Sequence, residues 1–163
     1  LEKRGVFVTL KKFPSHELRG CIGYPEPILP LAVATIYAGI SAAVNDPRFL
    51  PVRPEEMKDL TVEVTVLTPP QKLNVSPQER PKAIEVGRDG LIVRCGGASG
   101  LLLPQVPVEW GWNEEEFLSQ TCLKAGLPPN CWLSPFCEIY TFQGQVFTEV
   151  KPYGEVIEED LTP

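Results

Sequence analysis

The stretch Gly5-Val6-Phe7-Val8-Thr9-Leu10-Lys11-Lys12-Phe13-Pro14-Ser15-His16-Glu17-Leu18-Arg19-Gly20-Cys21-Ile22-Gly23-Tyr24 decides how this chain starts to fold. Gly5 to Lys11 has the composition of a strand, Pro14-Ser15 interrupts it, and Arg19 to Tyr24 reads as its antiparallel partner. Residues two apart in an extended segment share a face, so Arg19 and Cys21 are expected to point the same way. A guanidinium beside a thiol favours the thiolate, the form in which cysteine acts as nucleophile or ligand. Gly20 and Gly23 admit close approach of a backbone or a ligand. The same residues also fit a buried strand in which Cys21 is a small core side chain and Arg19 pairs with a carboxylate.

Working outward, Pro25, Pro27 and Pro30 stop extended pairing. From Pro30, apolar residues at helical spacing predict a helix through Asn45, apolar over much of its circumference and therefore central. Asp46-Pro47 ends it, because proline biases the preceding residue away from helix. Residues 54–60 suit a short helix, and Thr61 to Leu67 alternates as a strand, with Val62, Val64 and Val66 opposite Thr61, Glu63 and Thr65. Ser76 to Arg80 suits a helical turn. Ala83 to Val86 and Leu91 to Cys95 flank Gly87-Arg88-Asp89-Gly90 and predict a hairpin. Leu101 to Leu103 is a short strand, and a helix starts at Asn113 with Glu116 three residues on and stops at Gly126. Glu138 to Phe142 and Gln145 to Val150 read as closing strands, and the acidic tail after Pro152 reads as frayed. Strands and helices mix without regular βαβ alternation, which predicts an α+β fold of mixed or antiparallel sheets with a few helices. A division into two lobes flanking a cleft is expected within residues 67–82.

The chain has 163 residues and a net charge of −6, from 15 Lys plus Arg against 21 Asp plus Glu. That length buries a core without a metal or disulfide staple. The acidic balance and the lack of a dense basic run argue against a nucleic-acid partner, and Lys3, Arg4, Lys11 and Lys12 read as a solvated edge. No apolar run is long enough to span a bilayer, so no membrane role is expected and the cytoplasm is the default location. Five cysteines without two-residue spacing indicate neither a zinc ribbon nor a redox dithiol, and a reduced compartment follows. Cys131 and Cys137 lie near enough along a proline-rich loop for a disulfide in a heat-adapted organism. Eighteen prolines stiffen the loops, a device frequent in thermophiles.

The segments Gly5 to Leu10, Leu18 to Gly23, Asp46-Pro47-Arg48-Phe49, Val62-Glu63-Val64, Gly100 to Val106 and Cys122 to Pro128, in this order and spacing, resemble the AMMECR domain family, named after the Alport syndrome, midface hypoplasia and elliptocytosis chromosomal region protein. The resemblance covers nearly the whole chain and implies one such domain over residues 1–163, of the prokaryotic stand-alone type. Family members carry an N-terminal segment with a helix before the first strand. Here the chain opens almost directly at that strand, so the segment is expected to be lost or to lie outside the numbered residues. The resemblance implies no assigned reaction and leaves the cofactor unknown; it marks the Arg-Gly-Cys segment as the functional region. Gene neighbourhood and fusion in the family imply a pathway shared with Memo-like and radical-SAM proteins.

The constellation that carries chemistry joins Cys21, Glu63 and Asp46, as catalytic candidates, to Arg19, Gly20, Gly23 and Arg48, as substrate-binding candidates. In the enzyme reading Cys21 is the nucleophile or redox thiol, Arg19 anchors an anion on a small molecule, and Glu63 or Asp46 is the acid/base. In the rival reading the same cleft recognises a protein partner without catalysis, and the charged groups organise loops. His16 invites a Cys-His pairing, but its polar turn favours solvation. Gly96 to Gly100 precedes a strand rather than a helix, so it reads as a turn and not as a phosphate loop. Trp110, Trp112 and Trp132 read as structural. One histidine excludes a histidine-rich metal centre.

Overall fold

The computed structural model describes residues 2–160. It has the α+β architecture expected, with eight strands and four α-helices among the described residues: β1 (Gly5–Lys12), β2 (Leu18–Tyr24), α1 (Leu31–Val44), β3 (Leu60–Leu67), β4 (Gln71–Lys72), α2 (Arg80–Ala83), β5 (Asp89–Cys95), β6 (Ala98–Leu102), α3 (Gln105–Trp110), α4 (Glu114–Lys124), β7 (Glu138–Glu149) and β8 (Val156–Glu159). Two compact units result, one of residues 2–69 with 145–160 and one of residues 70–144. The chain passes between them at Pro69/Pro70 and again inside β7, at Gly144/Gln145. Read from sequence, Gly144 separates two strands; in the structure β7 runs through it without interruption.

In the first unit β1 pairs antiparallel with both β2 and β3. Val6, Val8 and Leu10 lie on the face that meets α1, where Ala34, Ala38 and Ala42 form a buried stripe at four-residue spacing. Each buried valine or leucine contributes about 1.5–3 kcal/mol. The alanines bring the helix so close that a Cβ on Gly20 would land on the Ala42 carbonyl oxygen. The helix is central on that stripe alone: Ile36, Tyr37, Ile40 and Val44 are exposed on its other side. Within the tail, residues 156–159 are not frayed but form β8, paired with Val146 to Glu149 of β7; residues 161–163 lie outside the described residues.

In the second unit β5 lies between β6 and β7, all antiparallel, and α4 packs Phe117, Leu118 and Cys122 into a core with Leu91, Val93, Ile139 and Trp132. Asn113 caps α4 by accepting the Glu116 N–H at 2.9 Å, as expected, and Gly126 follows in the left-handed region at φ 74°. The hairpin expected around Gly87-Arg88-Asp89-Gly90 does not form. Buried Asp89 instead gathers the Glu85 N–H, Arg88 and the Gln143 amide, which makes residues 85–89 a turn tied to β7. The hairpin joins β5 to β6 through Gly96 and Gly97, both at positive φ.

Four of the five cysteines are bonded, Cys95 to Cys137 and Cys122 to Cys131. This corrects the expectation of reduced thiols and of a Cys131–Cys137 approach. Sequence spacing fails here because the partners come from different elements: Cys95 ends β5 and Cys122 lies on α4. The loop between α4 and β7 is further held by buried Arg80, whose guanidinium donates to the carbonyls of Trp132 at 2.6 Å, Ser134 at 3.2 Å and Cys137 at 2.6 Å. No helix among the described residues is long and apolar enough to cross a membrane.

Candidate functional site

All residues of the candidate constellation belong to the first unit. Register places Cys21 opposite Thr9 and Thr9 opposite Glu63, so the three form a row across β2, β1 and β3. The Thr9 hydroxyl donates to Cys21 Sγ at 3.2 Å. The face of β3 carrying Thr61, Glu63 and Thr65 is the more deeply buried one, although it is the polar one. Glu63 meets its charge there with Lys11, whose Nζ lies 2.7 Å from Oε2 in an ion pair. Lys11 therefore is not a solvated edge residue.

Asp46 follows the end of α1, and its carboxylate folds the next residues around itself. Oδ1 accepts the Arg48 N–H at 3.1 Å, the bond of an Asx turn, and Arg48 Nε at 3.0 Å. Oδ2 accepts Arg48 Nη2 at 2.7 Å and the Cys21 N–H at 3.0 Å. Four donors fill the four lone-pair sites of the carboxylate. The Arg48 side chain, first of all, and the two main-chain donors hold its pKa far below the usual carboxylate range, against the opposing effect of burial. A carboxylate so saturated holds the thiol's backbone and has no site left from which to exchange a proton.

Arg19 is buried and turned to another partner. Its Nε and Nη2 donate to the two oxygens of Glu56 at 3.2 and 3.3 Å, and Glu56 also accepts the Arg53 N–H at the start of a 3-10 turn. Register between β1 and β2 slips after Leu10, where Leu18 rather than Arg19 meets Lys11, so simple alternation does not carry from Cys21 to Arg19. Both arginines lie over the Phe49 ring, with Arg19 Cζ 6.0 Å and Arg48 Cζ 5.4 Å from its centroid. The cation that acts on the thiol is Arg48. Burial, the largest influence, raises the Cys21 pKa; the Thr9 hydrogen bond and then Arg48 oppose it, while Asp46 and Glu63 add to it. The net direction is upward, so Cys21 rests as a thiol rather than a thiolate.

Gly20 and Gly23 make room for the chain itself: a Cβ on Gly23 would enter the Phe7 ring, as one on Gly20 would meet Ala42. His16, at φ 63° in the exposed turn between β1 and β2, stands in solvent. Thr9 and Glu56 complete the constellation without having been singled out from sequence, and Lys11 joins it although read there as a solvated edge. The row through Thr9 was available in the pairing of the first two strands, whereas Glu56 gives no local signal of its partner 37 residues away.

An α+β chain with one free, backbone-clamped thiol is thus the class of molecule defined here. The AMMECR1 family model matches residues 1–147, and the chain belongs to that family. Protein MK0488 of Methanopyrus kandleri is 65% identical over 162 residues, covering 98% of this chain and 78% of its own. Protein TK0174 of Thermococcus kodakarensis is 61% identical, covering 98% and 80%. The crystal structure of an uncharacterised protein, PH0010 from Pyrococcus horikoshii, superposes with a TM-score of 0.94 at 59% identity, over 98% of this chain and 80% of that one. These relatives carry no established function.

Proposed function

We propose that the chain is an enzyme acting on a small molecule through Cys21. The carrying observation is that Cys21, alone unbonded among the five cysteines, is fixed by its own N–H on the saturated Asp46 carboxylate while Thr9 bonds its sulfur. Asp46 and Arg48 are positioning residues in this reading, and Arg48 is also the cation beside the thiol. With Asp46 filled, the acid/base role passes to Glu63, which lies in the same cross-strand row and is ion-paired to Lys11. For a carbonyl substrate the sulfur bonds to the carbon as the C=O π bond breaks. The thiol proton passes to Glu63; with an aldehyde the developing alkoxide takes that proton back, and with an ester or thioester the C=O re-forms as the alcohol or thiol leaves with the proton from Glu63. Proposed location is the cytoplasm; two disulfides are compatible with it because intracellular proteins of hyperthermophilic archaea are disulfide-rich.

A non-catalytic binding module is favoured by one observation, the upward shift of the Cys21 pKa, since a desolvated neutral thiol is an inert one. Intact-mass measurement after exposure to a panel of thioesters, esters and aldehydes separates the readings. The enzyme reading expects one adduct per chain, on Cys21, abolished by Cys21→Ala and slowed about tenfold or more by Glu63→Gln. Absence of any adduct, or labelling indifferent to Glu63→Gln, moves the assignment to the binding module.

A further inference from the structure

The two disulfides of the second unit differ in what surrounds them. Cys122 and Cys131 are both buried in the core that α4 makes with the sheet. Cys137 is buried as well, but its partner Cys95 only packs against the edge of that core and stays partly exposed. Cys95 ends β5 where the hairpin turns through Gly96 and Gly97, and nothing lies within 4 Å of a Cβ built on either glycine. Among the four bonded cysteines, Cys95 is the one left open to solvent.

Cys95 and Cys137 are also opposed residues of one antiparallel ladder. β5 and β7 pair as far as Arg94 with Glu138, and the next two residues, Cys95 and Cys137, stand with their Cα atoms 4.5 Å apart. Arg80 separately holds the Cys137 carbonyl at 2.6 Å. Opening the bond therefore leaves the two sulfurs side by side on paired strands, and closing it again is an intramolecular step. The same arginine bears on which sulfur leaves. Its buried guanidinium meets the carbonyls of Trp132, Ser134 and Cys137, no carboxylate pairs with it among the described residues, and its Nε has no hydrogen-bond partner. A cation of that kind favours an anion on the residue whose backbone it grips.

We propose that Cys95–Cys137 is a thiol–disulfide exchange site for a dithiol reductant, a clasp that opens and closes while the fold and the Cys122–Cys131 bond persist. A thiolate of the reductant attacks Cys95 Sγ, and the electron pair of the broken S–S bond leaves on Cys137 Sγ as a thiolate. The reductant's second thiolate then attacks its own sulfur in the mixed disulfide and expels Cys95 as a thiolate. The reductant departs as a cyclic disulfide, having given two electrons, and the cysteines take their protons from water. What the clasp releases is the segment 133–136, in which Phe136 is 87% exposed and which Cys137 ties to the end of β5. The proposal does not depend on the role of Cys21.

A time course of the native full chain in dithiothreitol tests it, with free thiols trapped by N-ethylmaleimide and assigned residue by residue by mass spectrometry. Cys95 and Cys137 should become labelled together, at least about tenfold faster than Cys122 and Cys131. Circular dichroism should stay unchanged meanwhile, and transfer to oxidised dithiothreitol should close the bond again. A short pulse of the monothiol 2-mercaptoethanol should leave the mixed disulfide on Cys95 and the maleimide on Cys137. Opening of Cys122–Cys131 first or at the same rate overturns the proposal. So does opening of Cys95–Cys137 only as the circular dichroism signal is lost, its failure to open, its failure to close again, or a mixed disulfide found mainly on Cys137.

Discussion

The main-chain N–H of Cys21 donates to Asp46 Oδ2 at 3.0 Å, a bond that ties the middle of β2 to the turn after α1 across 25 residues of sequence. Helix, turn and thiol strand are fixed together because the same carboxylate is gripped by Arg48. Removing it leaves the part-buried Cys21 N–H without its acceptor and releases the half-exposed Arg48 guanidinium to solvent. Asp46→Ala is therefore expected to cost about 2 kcal/mol of stability, read from urea denaturation.

The depressed Asp46 pKa also fixes a pH dependence. A carboxyl whose folded pKa lies below its unfolded value, about 3.9, contributes stability that is present above that value. It is lost as the pH falls towards the folded pKa. Stability of the native chain should drop between about pH 4 and 2, and Asp46→Asn should flatten that limb. An unchanged acid limb in Asp46→Asn would show that other carboxylates carry it.

Cys21 should alkylate more slowly than a solvated thiol at neutral pH, and accelerate as the pH rises, because burial raises its pKa. Arg48→Gln should slow it further by removing the cation that favours the thiolate. Arg19→Gln should leave it unchanged, since Arg19 is engaged by Glu56 and does not figure among the charges acting on the sulfur. Residue-resolved mass spectrometry across pH distinguishes these outcomes.

The extent to which this architecture is legible from sequence follows the range of the interactions. β1, β2, β3, α1 and α4 are readable because their signals are local: alternation, a proline stop, an asparagine cap, a terminal glycine. The Gly87 to Gly90 hairpin misleads because Asp89 is recruited by Gln143 from 54 residues away. β8 is hidden in an acidic tail that only its pairing with β7 makes a strand. Within the candidate site, the spacing of Arg19 and Cys21 suggests a cation beside the thiol, yet a register slip and Glu56 send that cation elsewhere. Arg48, 27 positions beyond Cys21 in sequence, takes its place through Asp46. Long-range pairing of this kind leaves no periodic trace.

Titration of the native, non-reduced chain with a chromogenic disulfide should report one thiol, and the reduced, unfolded chain five. Replacing Cys95 and Cys137 together by alanine should lower stability by about 2–4 kcal/mol, because their link closes a 42-residue separation in the unfolded chain. Two or more thiols in the native titration would mean that at least one bridge is open.

Glycine substitutions separate packing from backbone freedom. At Gly20 the obstacle is contact: the added Cβ meets the Ala42 carbonyl oxygen, and either β2 or α1 must move against a core already filled by Val8 and Ala38. Overpacking of that kind costs about 1–3 kcal/mol. At Gly97 nothing lies within 4 Å, and only the φ of +86° opposes a side chain, a cost of about 1 kcal/mol. Gly20→Ala should therefore lower the urea midpoint more than Gly97→Ala. It should also disturb Cys21, the next residue, so that its alkylation speeds up as the strand lifts from the helix. Equal midpoints for the two variants, with Cys21 reactivity unaltered in both, would mean that α1 yields at Ala42 and does not fix the position of the thiol strand.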